Sequence, residues 1–314
     1  MNAFPATVGS YSPDGRGGQA LDTVAVVLPV RDGAKTLGAQ LRALSEQTYP
    51  APFPIVIVDD GSRDSTGEVA EQWARTLPNL RILRSPIPRG LSWARNTGAK
   101  AVSAEYLAYC DSDDVADPGW LAAMTAGLAT SDLVGGHLDL DALNSPRSLA
   151  WRSHIPPPTG EPGLPHGEGY LPYAVGANLG VRRSVLTDLG GFDQRLSGHE
   201  DVEFCWRAQM ASYSLSYAPD AIMQYRLRDT LHGLATQRYH YGTSFAHVYS
   251  LYAEHGDLPS ASRLAIARQW SQVLMRAPAA LRSNSSTGQW VFDASWLVGC
   301  AVGSARRHVL CPPG

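Results

Sequence analysis

Two unbroken runs of apolar, mostly β-branched residues constrain this chain more than any other feature: TVAVVLPV at 23–30 and FPIVIVDD at 53–60. A strand without polar alternation is buried on both faces, which requires helices on either side of its sheet. GAKTLGAQLRALSEQ, 33–47, offers one such helix, since Leu37, Leu41 and Leu44 recur at helical spacing along one stripe. STGEVAEQWARTL, 65–77, predicts a second, with Ser65 or Thr66 as cap and Glu68 in the first turn. LRILRS at 80–85 reads as a third strand, LSWARNTGAKAV as a third helix and AEYLAYCD as a fourth strand. Alternation with short joins predicts an α/β fold, a mainly parallel sheet flanked by helices.

Beyond residue 120 the pattern changes. GWLAAMTAGLAT predicts a helix and SDLVGGHLDL a strand. Residues 142–170 carry Pro and Gly with few periodic positions, and a loop that long reads as a lid or a substrate-shaping segment. Order returns with a strand near 174–182 and a helix beginning near Glu200, whereas 230–282 reads as helical and 283–288 as a Ser/Gly-rich join. The Gly-, Pro- and Ser-rich residues 1–20 read as a disordered leader. This divides the chain into a leader at 1–20, a catalytic unit at 21–230 and a mainly helical extension at 231–314.

Composition narrows the classes. With 314 residues, 44% of them hydrophobic, a full core is affordable in length, and the 26 Lys and Arg against 29 Asp and Glu give no basic footprint for nucleic acid. Cys110, Cys205, Cys300 and Cys311 are scattered without a CxxC pair, which argues against structural zinc and for a reducing compartment. No run of apolar residues approaches the length of a membrane span, so a cytoplasmic protein is expected, with peripheral contact at the inner membrane face left open.

The chemistry is expected where strands end, because ligands of parallel sheets bind outside the carboxyl ends of the strands. Asp59 and Asp60 end one predicted strand; Asp111, Asp113 and Asp114 end another. Two such clusters can converge on one crevice, and hard carboxylate oxygens suit Mg²⁺ or Mn²⁺. No GxGxxG or GxxxxGK[ST] occurs, which disfavours redox dinucleotides and P-loop chemistry.

VVLPVRDGAKTL, IVIVDDGSRDST, RGLSWARNTGAK, LAYCDSDD, GANLGVRRSVLTDLGGFDQRL and GHEDVEFCWRAQ follow one another as in the family 2 glycosyltransferases, and residues 22 to 230 resemble that family. The resemblance implies a GT-A fold, with a Rossmann-like nucleotide-binding half and a mixed acceptor-side half. It also implies inverting transfer from a nucleoside-diphosphate sugar to a saccharide or small-molecule acceptor, assisted by Mn²⁺ or Mg²⁺. On this resemblance Pro29, Val30 and Arg31 open the base pocket, Asp60 contacts base or ribose, and Arg95 and Asn96 border the nucleotide. Asp111 and Asp113 match the DxD, the first near ribose or the metal shell and the second a direct ligand. Asp201 matches the general base and Glu200 its acceptor-positioning neighbour. Acids in a first helical turn are also favoured by the helix dipole alone.

Gly176 and Asn178 suit a close backbone approach beneath the donor sugar, and His199 shapes the acceptor pocket; His137, His154 and His166 read as loop histidines, and Trp206 as packing behind the base. Where relatives carry a His after the PDA segment, this chain has Tyr225 and Arg226, and a guanidinium there can contact diphosphate. No QxxRW motif is present, so a non-processive enzyme is expected. Two rivals share the scaffold: a noncatalytic nucleotide-sugar-binding or partner protein, and a metal-dependent nucleotidyltransferase.

Overall fold

A computed structural model describes residues 22–152, 163–166, 170–253 and 262–312. The leader expected at 1–20, and His154, lie outside the described residues. Four strands, β1 (Asp22–Val30), β2 (Ile55–Asp60), β3 (Leu80–Ser85) and β4 (Ala104–Cys110), lie parallel in the order β3-β2-β1-β4. The unbroken apolar runs have the predicted cause. Val24, Val26, Leu28 and Val30 of β1 enter one core, while Ala25 and Val27 enter the other. In β2, Ile55 and Ile57 divide from Val56 and Val58 in the same way. Helices α1 (Leu37–Ser45), α2 (Thr66–Ala74) and α3 (Leu91–Lys100) connect these strands.

Past β4 the sheet becomes mixed. The short β5 (Val115–Ala116) leads through α4 (Trp120–Leu128) to β6 (Leu133–Asp139), and α5 (Pro146–Ala150) follows. β7 (Asn178–Arg182) then runs antiparallel between β4 and β6, before α6 (Arg183–Asp188) and α7 (Glu200–Met210). β8 (Leu215–Gln224) completes an eight-stranded sheet, parallel to β6 and antiparallel to β5. The loop predicted at 142–170 therefore contains a helix, started by Pro146 and capped by the Ser145 side chain. β8 was not predicted. Only Ala218, Ala221 and Met223 of its ten residues are buried, so neither an apolar run nor a clean alternation marks it.

Three further helices form a wall beside the sheet: α8 (Leu231–Tyr252), α9 (Arg263–Ala280) and α10 (Asn284–Arg307). The Ser/Gly-rich join expected at 283–288 is the start of α10, where the Ser283 hydroxyl accepts the Ser286 N–H as its cap. α8 and α10 touch backbone to backbone. A Cβ on Gly242 would stand 2.4 Å from the Trp296 carbonyl oxygen, and one on Gly299 would stand 2.3 Å from that of Tyr239, so only glycine fits at either place. This pair joins α7 through a third core containing Val202, Trp206, Phe245, Tyr249 and Trp296. Trp206 is fully buried and donates its indole N–H to the Leu171 carbonyl, 2.8 Å away, packing behind the start of α7 as expected.

Candidate active site

The carboxyl end of β4 fixes the acidic cluster. Gln40 of α1 donates to the Asp111 carbonyl (3.2 Å) and accepts the Ala116 N–H (2.9 Å), clamping the turn that carries Asp111, Asp113 and Asp114. Carboxylate oxygens of these three residues lie within 4.8 Å of one another. Asp114 accepts the Arg226 N–H at 2.8 Å with one oxygen, while its other oxygen is buried and without a partner. Burial, then the neighbouring Asp113 and Asp111 charges, push the Asp114 carboxyl well above its ordinary range, and burial raises Asp111 as well. Three crowded hard oxygen donors, one of them orphaned, fit a divalent cation.

Arg95 connects this cluster to a second one. Its guanidinium, 1% exposed, pairs with Asp111 Oδ1 at 3.2 Å and with Glu200 Oε1 at the first turn of α7. Burial opposes its charge, yet Glu200 and Asp111 together hold Arg95 above its usual value. Burial in turn pushes the Glu200 carboxyl up to about 7. Glu200 thus faces an arginine rather than open space. Asp201, beside it, is half-buried on the cleft, and its two oxygens accept N–H groups of Gly176 (2.7 Å) and Val202 (2.9 Å). Gly176 serves this arrangement in two ways: its N–H orients Asp201, and a Cβ there would stand 2.4 Å from the Arg95 guanidinium.

His199 precedes α7 in the left-handed region, φ 55°, which turns its ring toward the helical wall. There its Nδ1 lies 2.6 Å from the Ser244 hydroxyl, among Tyr241, Phe245 and Trp296. Burial lowers it to about 4, so the ring is neutral at pH 7. Asp111, Arg95, His199, Glu200, Asp201, Tyr225 and Arg228 all line one cleft of about 900 Å³.

Other predicted site residues lie elsewhere. Pro29 and Val30 are buried at the end of β1 with Arg31 exposed beside them, and Asp60 ends β2 next door, its carboxylate accepting the Arg89 and Gly90 N–H groups (2.6 and 2.9 Å). Asn96 is turned inward, exchanging hydrogen bonds with the Phe192 backbone. Asn178 is fully committed too, accepting from the Trp120 indole and donating to the carbonyls of His137 and Ala221. Its amide knits β6, β7 and β8 together and does not reach the cleft. His137, expected in a loop, lies instead in β6 and bonds Tyr217 at 3.0 Å, and His166 is exposed at the cleft edge.

One site residue, Arg228, escaped sequence reasoning. Arg226 directs its Nε to the Asp113 carbonyl, and it is Arg228 that reaches the Asp113 carboxylate, 3.3 Å away. The signal was present: residues two apart in an extended segment share a side, and RLR offered a second arginine on the side of the first. Asp114 joins the cluster as the third acid of DSDD.

The fold and the paired acidic clusters together define a GT-A-like scaffold. The chain matches the model of Glycosyl transferase family 2 over residues 25–190, and that of Glycosyl transferase family group 2 over residues 167–301. It belongs to glycosyl transferase family 2. It is 32% identical over 205 residues to glycosyltransferase AglE of Haloferax volcanii, a match that covers 64% of this chain and 66% of that one. It is 30% identical over 239 residues to the pre-mycofactocin glycosyltransferase of Mycobacterium tuberculosis, covering 71% of this chain and 47% of that one. The match thus spans just under two thirds of the first relative and less than half of the second. In fold it resembles the mannosyltransferase PcManGT of Pyrobaculum calidifontis, solved in complex with GDP-Man and Mn²⁺, with a TM-score of 0.66 at 20% identity over 91% of this chain and 89% of that one. No described helix is long and apolar enough to cross a membrane.

Proposed function

We propose that this protein transfers a sugar, with inversion, from a nucleoside-diphosphate sugar to an acceptor hydroxyl, with Asp201 as general base. The observation that carries this reading is the one cleft in which Asp111 of the acidic cluster and Asp201 face common space, with Arg95 bridging Asp111 to Glu200, the neighbour of Asp201. Asp111, Asp113 and Asp114 would hold Mn²⁺ or Mg²⁺, which when bound offsets charge gathering on the departing diphosphate. The mannosyltransferase PcManGT, of like fold, was solved with GDP-Man and Mn²⁺.

Asp201 takes the proton of the acceptor hydroxyl as the new C1–O bond forms and the bond from C1 to the diphosphate oxygen breaks. Its orientation is set by the Gly176 N–H. Glu200 holds Arg95 in place and acts on the acceptor only through the shape of the pocket. The strand ends bearing Pro29, Val30, Arg31 and Asp60 form the nucleoside end, and Arg228 adds a cation beside Asp113. Residues 21–230 are the catalytic unit, with 231–314 as the wall of its acceptor end, a division supported by Tyr241 and Trp296 lining the same cleft.

Residence in the cytoplasm, at the inner membrane face, is supported by the buried thiols of Cys110, Cys205 and Cys300, which form no disulfide, and by α9. That helix exposes Leu264, Leu274, Met275 and, just past its end, Leu281, beside Arg263, Arg268 and Arg282, and no acidic residue occurs between 263 and 282.

A thermal-shift series with nucleoside diphosphates and their sugars tests the donor reading. A rise in melting temperature that needs Mn²⁺ and disappears in Asp113→Ala is expected. No rise with any nucleotide would leave only the noncatalytic partner-protein reading in its place, and retention of configuration in the product, seen by proton NMR, would remove Asp201 as base.

A further inference from the structure

One side of the cleft carries two arginines that form no ion pair among the described residues. Arg238 of α8 lies with its guanidinium carbon 3.8 Å from the ring centroid of Phe292 and 4.5 Å from that of Trp296. Arg152, just past α5, faces the same Phe292 ring at 5.8 Å. All four residues line the cleft that carries Asp201. Among the described residues neither arginine forms an ion pair, and the Arg238 Nε is sealed from solvent without a hydrogen-bond partner. Asp293, the acid beside Phe292, is held by Arg276 at 2.6 Å. Burial, and then the like charge of Arg152, lower Arg238 to about 10.

Such an arrangement is costly for the protein alone. A half-buried guanidinium with one nitrogen sealed from water is ordinarily paired, and aromatic faces offset only part of its lost hydration. A neutral sugar would not repay the difference, whereas a phosphate monoester would, because two guanidinium forks match its charge and its oxygens. The position is equally specific. Arg238 stands on α8 and Arg152 just past α5, both against Phe292 of α10, whereas the acids proposed to serve the donor stand at the strand ends, with Arg228 just beyond β8.

We propose that Arg152 and Arg238 form an oxyanion subsite for a phosphate group carried by the acceptor, placing the acceptor hydroxyl toward Asp201. This deepens the glycosyltransferase reading and rests on it for the word acceptor; the anion site itself does not.

Calorimetric titrations of the full chain with inorganic phosphate, glucose 1-phosphate, geranyl phosphate, glucose and geraniol test it, alongside UDP and GDP with Mn²⁺. The expected result is that one phosphate-bearing organic probe binds more tightly than inorganic phosphate and than its neutral parent. Its affinity should fall about tenfold or more in Arg238→Gln, and also in Arg152→Gln, whose half-buried position spares the fold. Preference for glucose 1-phosphate identifies a sugar phosphate and preference for geranyl phosphate a lipid phosphate, and either supports the subsite. Equal binding to wild type and both variants overturns it, as does binding of inorganic phosphate alone. Loss of UDP or GDP binding in the variants with the phosphate probes unaffected also overturns it, by moving the arginines to the donor. If the phosphate probes behave as expected while no nucleotide binds with Mn²⁺, the subsite stands and the donor reading fails.

Discussion

At the strand ends, most charged groups have a partner. Asp60 accepts two backbone N–H groups, Asp59 meets Arg84 at 3.5 Å, and Arg95 divides itself between Asp111 and Glu200. Across the cleft, on the helical wall, Arg152 and Arg238 rest on aromatic rings and have no acid of their own among the described residues. The packing differs as well. β1 and β2 bury residues on both faces, whereas α9 buries only Val273 and Ala280 of its eighteen residues. A side whose charges are already balanced can hold a fixed reaction geometry; a side with surplus charge and thin packing is suited to receive a variable ligand.

That contrast can be broken or sharpened by measurement. The largest effect belongs to Asp201→Asn, which keeps the size of the side chain and one oxygen to accept from Gly176 or Val202 but cannot take a proton. Turnover at saturating substrates should fall about 10²–10⁴-fold with donor binding intact. Near-normal turnover in this variant, with collapse in Glu200→Gln, would shift the base by one residue. In the sheet, Leu28→Ala should cost about 2–5 kcal/mol in denaturant unfolding, because the side chain is fully buried.

Gly176→Ala should cost about 1–3 kcal/mol, since the new methyl meets the Arg95 guanidinium and that side chain is pinned by two carboxylates. It should also lower kcat by displacing Asp201. The pH dependence comes next. His199 is held near 4 in the folded protein against an ordinary 6.5, so the unfolded chain binds the extra proton and stability declines as pH falls from about 6.5 to about 4. His199→Gln should flatten the melting-temperature profile across that window and leave it unchanged above pH 7. Smallest is Leu281→Ala on the wall, 90% exposed, which should alter stability by no more than about 0.5 kcal/mol. Its effect should appear instead as weaker sedimentation with anionic vesicles; unaltered sedimentation would remove the membrane contact.

How much of this was legible in the sequence follows from the same contrast. Runs such as IVIVDD declare their environment locally, and β3 begins and ends at the predicted Leu80 and Ser85. α7 begins at Glu200 as predicted, because its acidic first turn is a local signal too. The partners of Arg95 are not local: Glu200 lies 105 residues away, and nothing in ARN indicates that its arginine will be buried between two carboxylates. Arg228 reaches Asp113 because β8 ends at Gln224 opposite Val115 of β5, just past the acidic turn. Asn178 looked exposed to ligand and is instead a three-way internal bridge, a role visible only once β6, β7 and β8 lie side by side.

Arg95 has one more consequence. Its charge is shared between a residue at the metal end and a residue at the start of α7, so whatever engages Asp111 changes what remains for Glu200. Filling one end of the cleft therefore alters the free energy of filling the other, and reciprocity requires the same increment in both directions. Two ligands that meet in such a cleft are then coupled in affinity through one buried side chain.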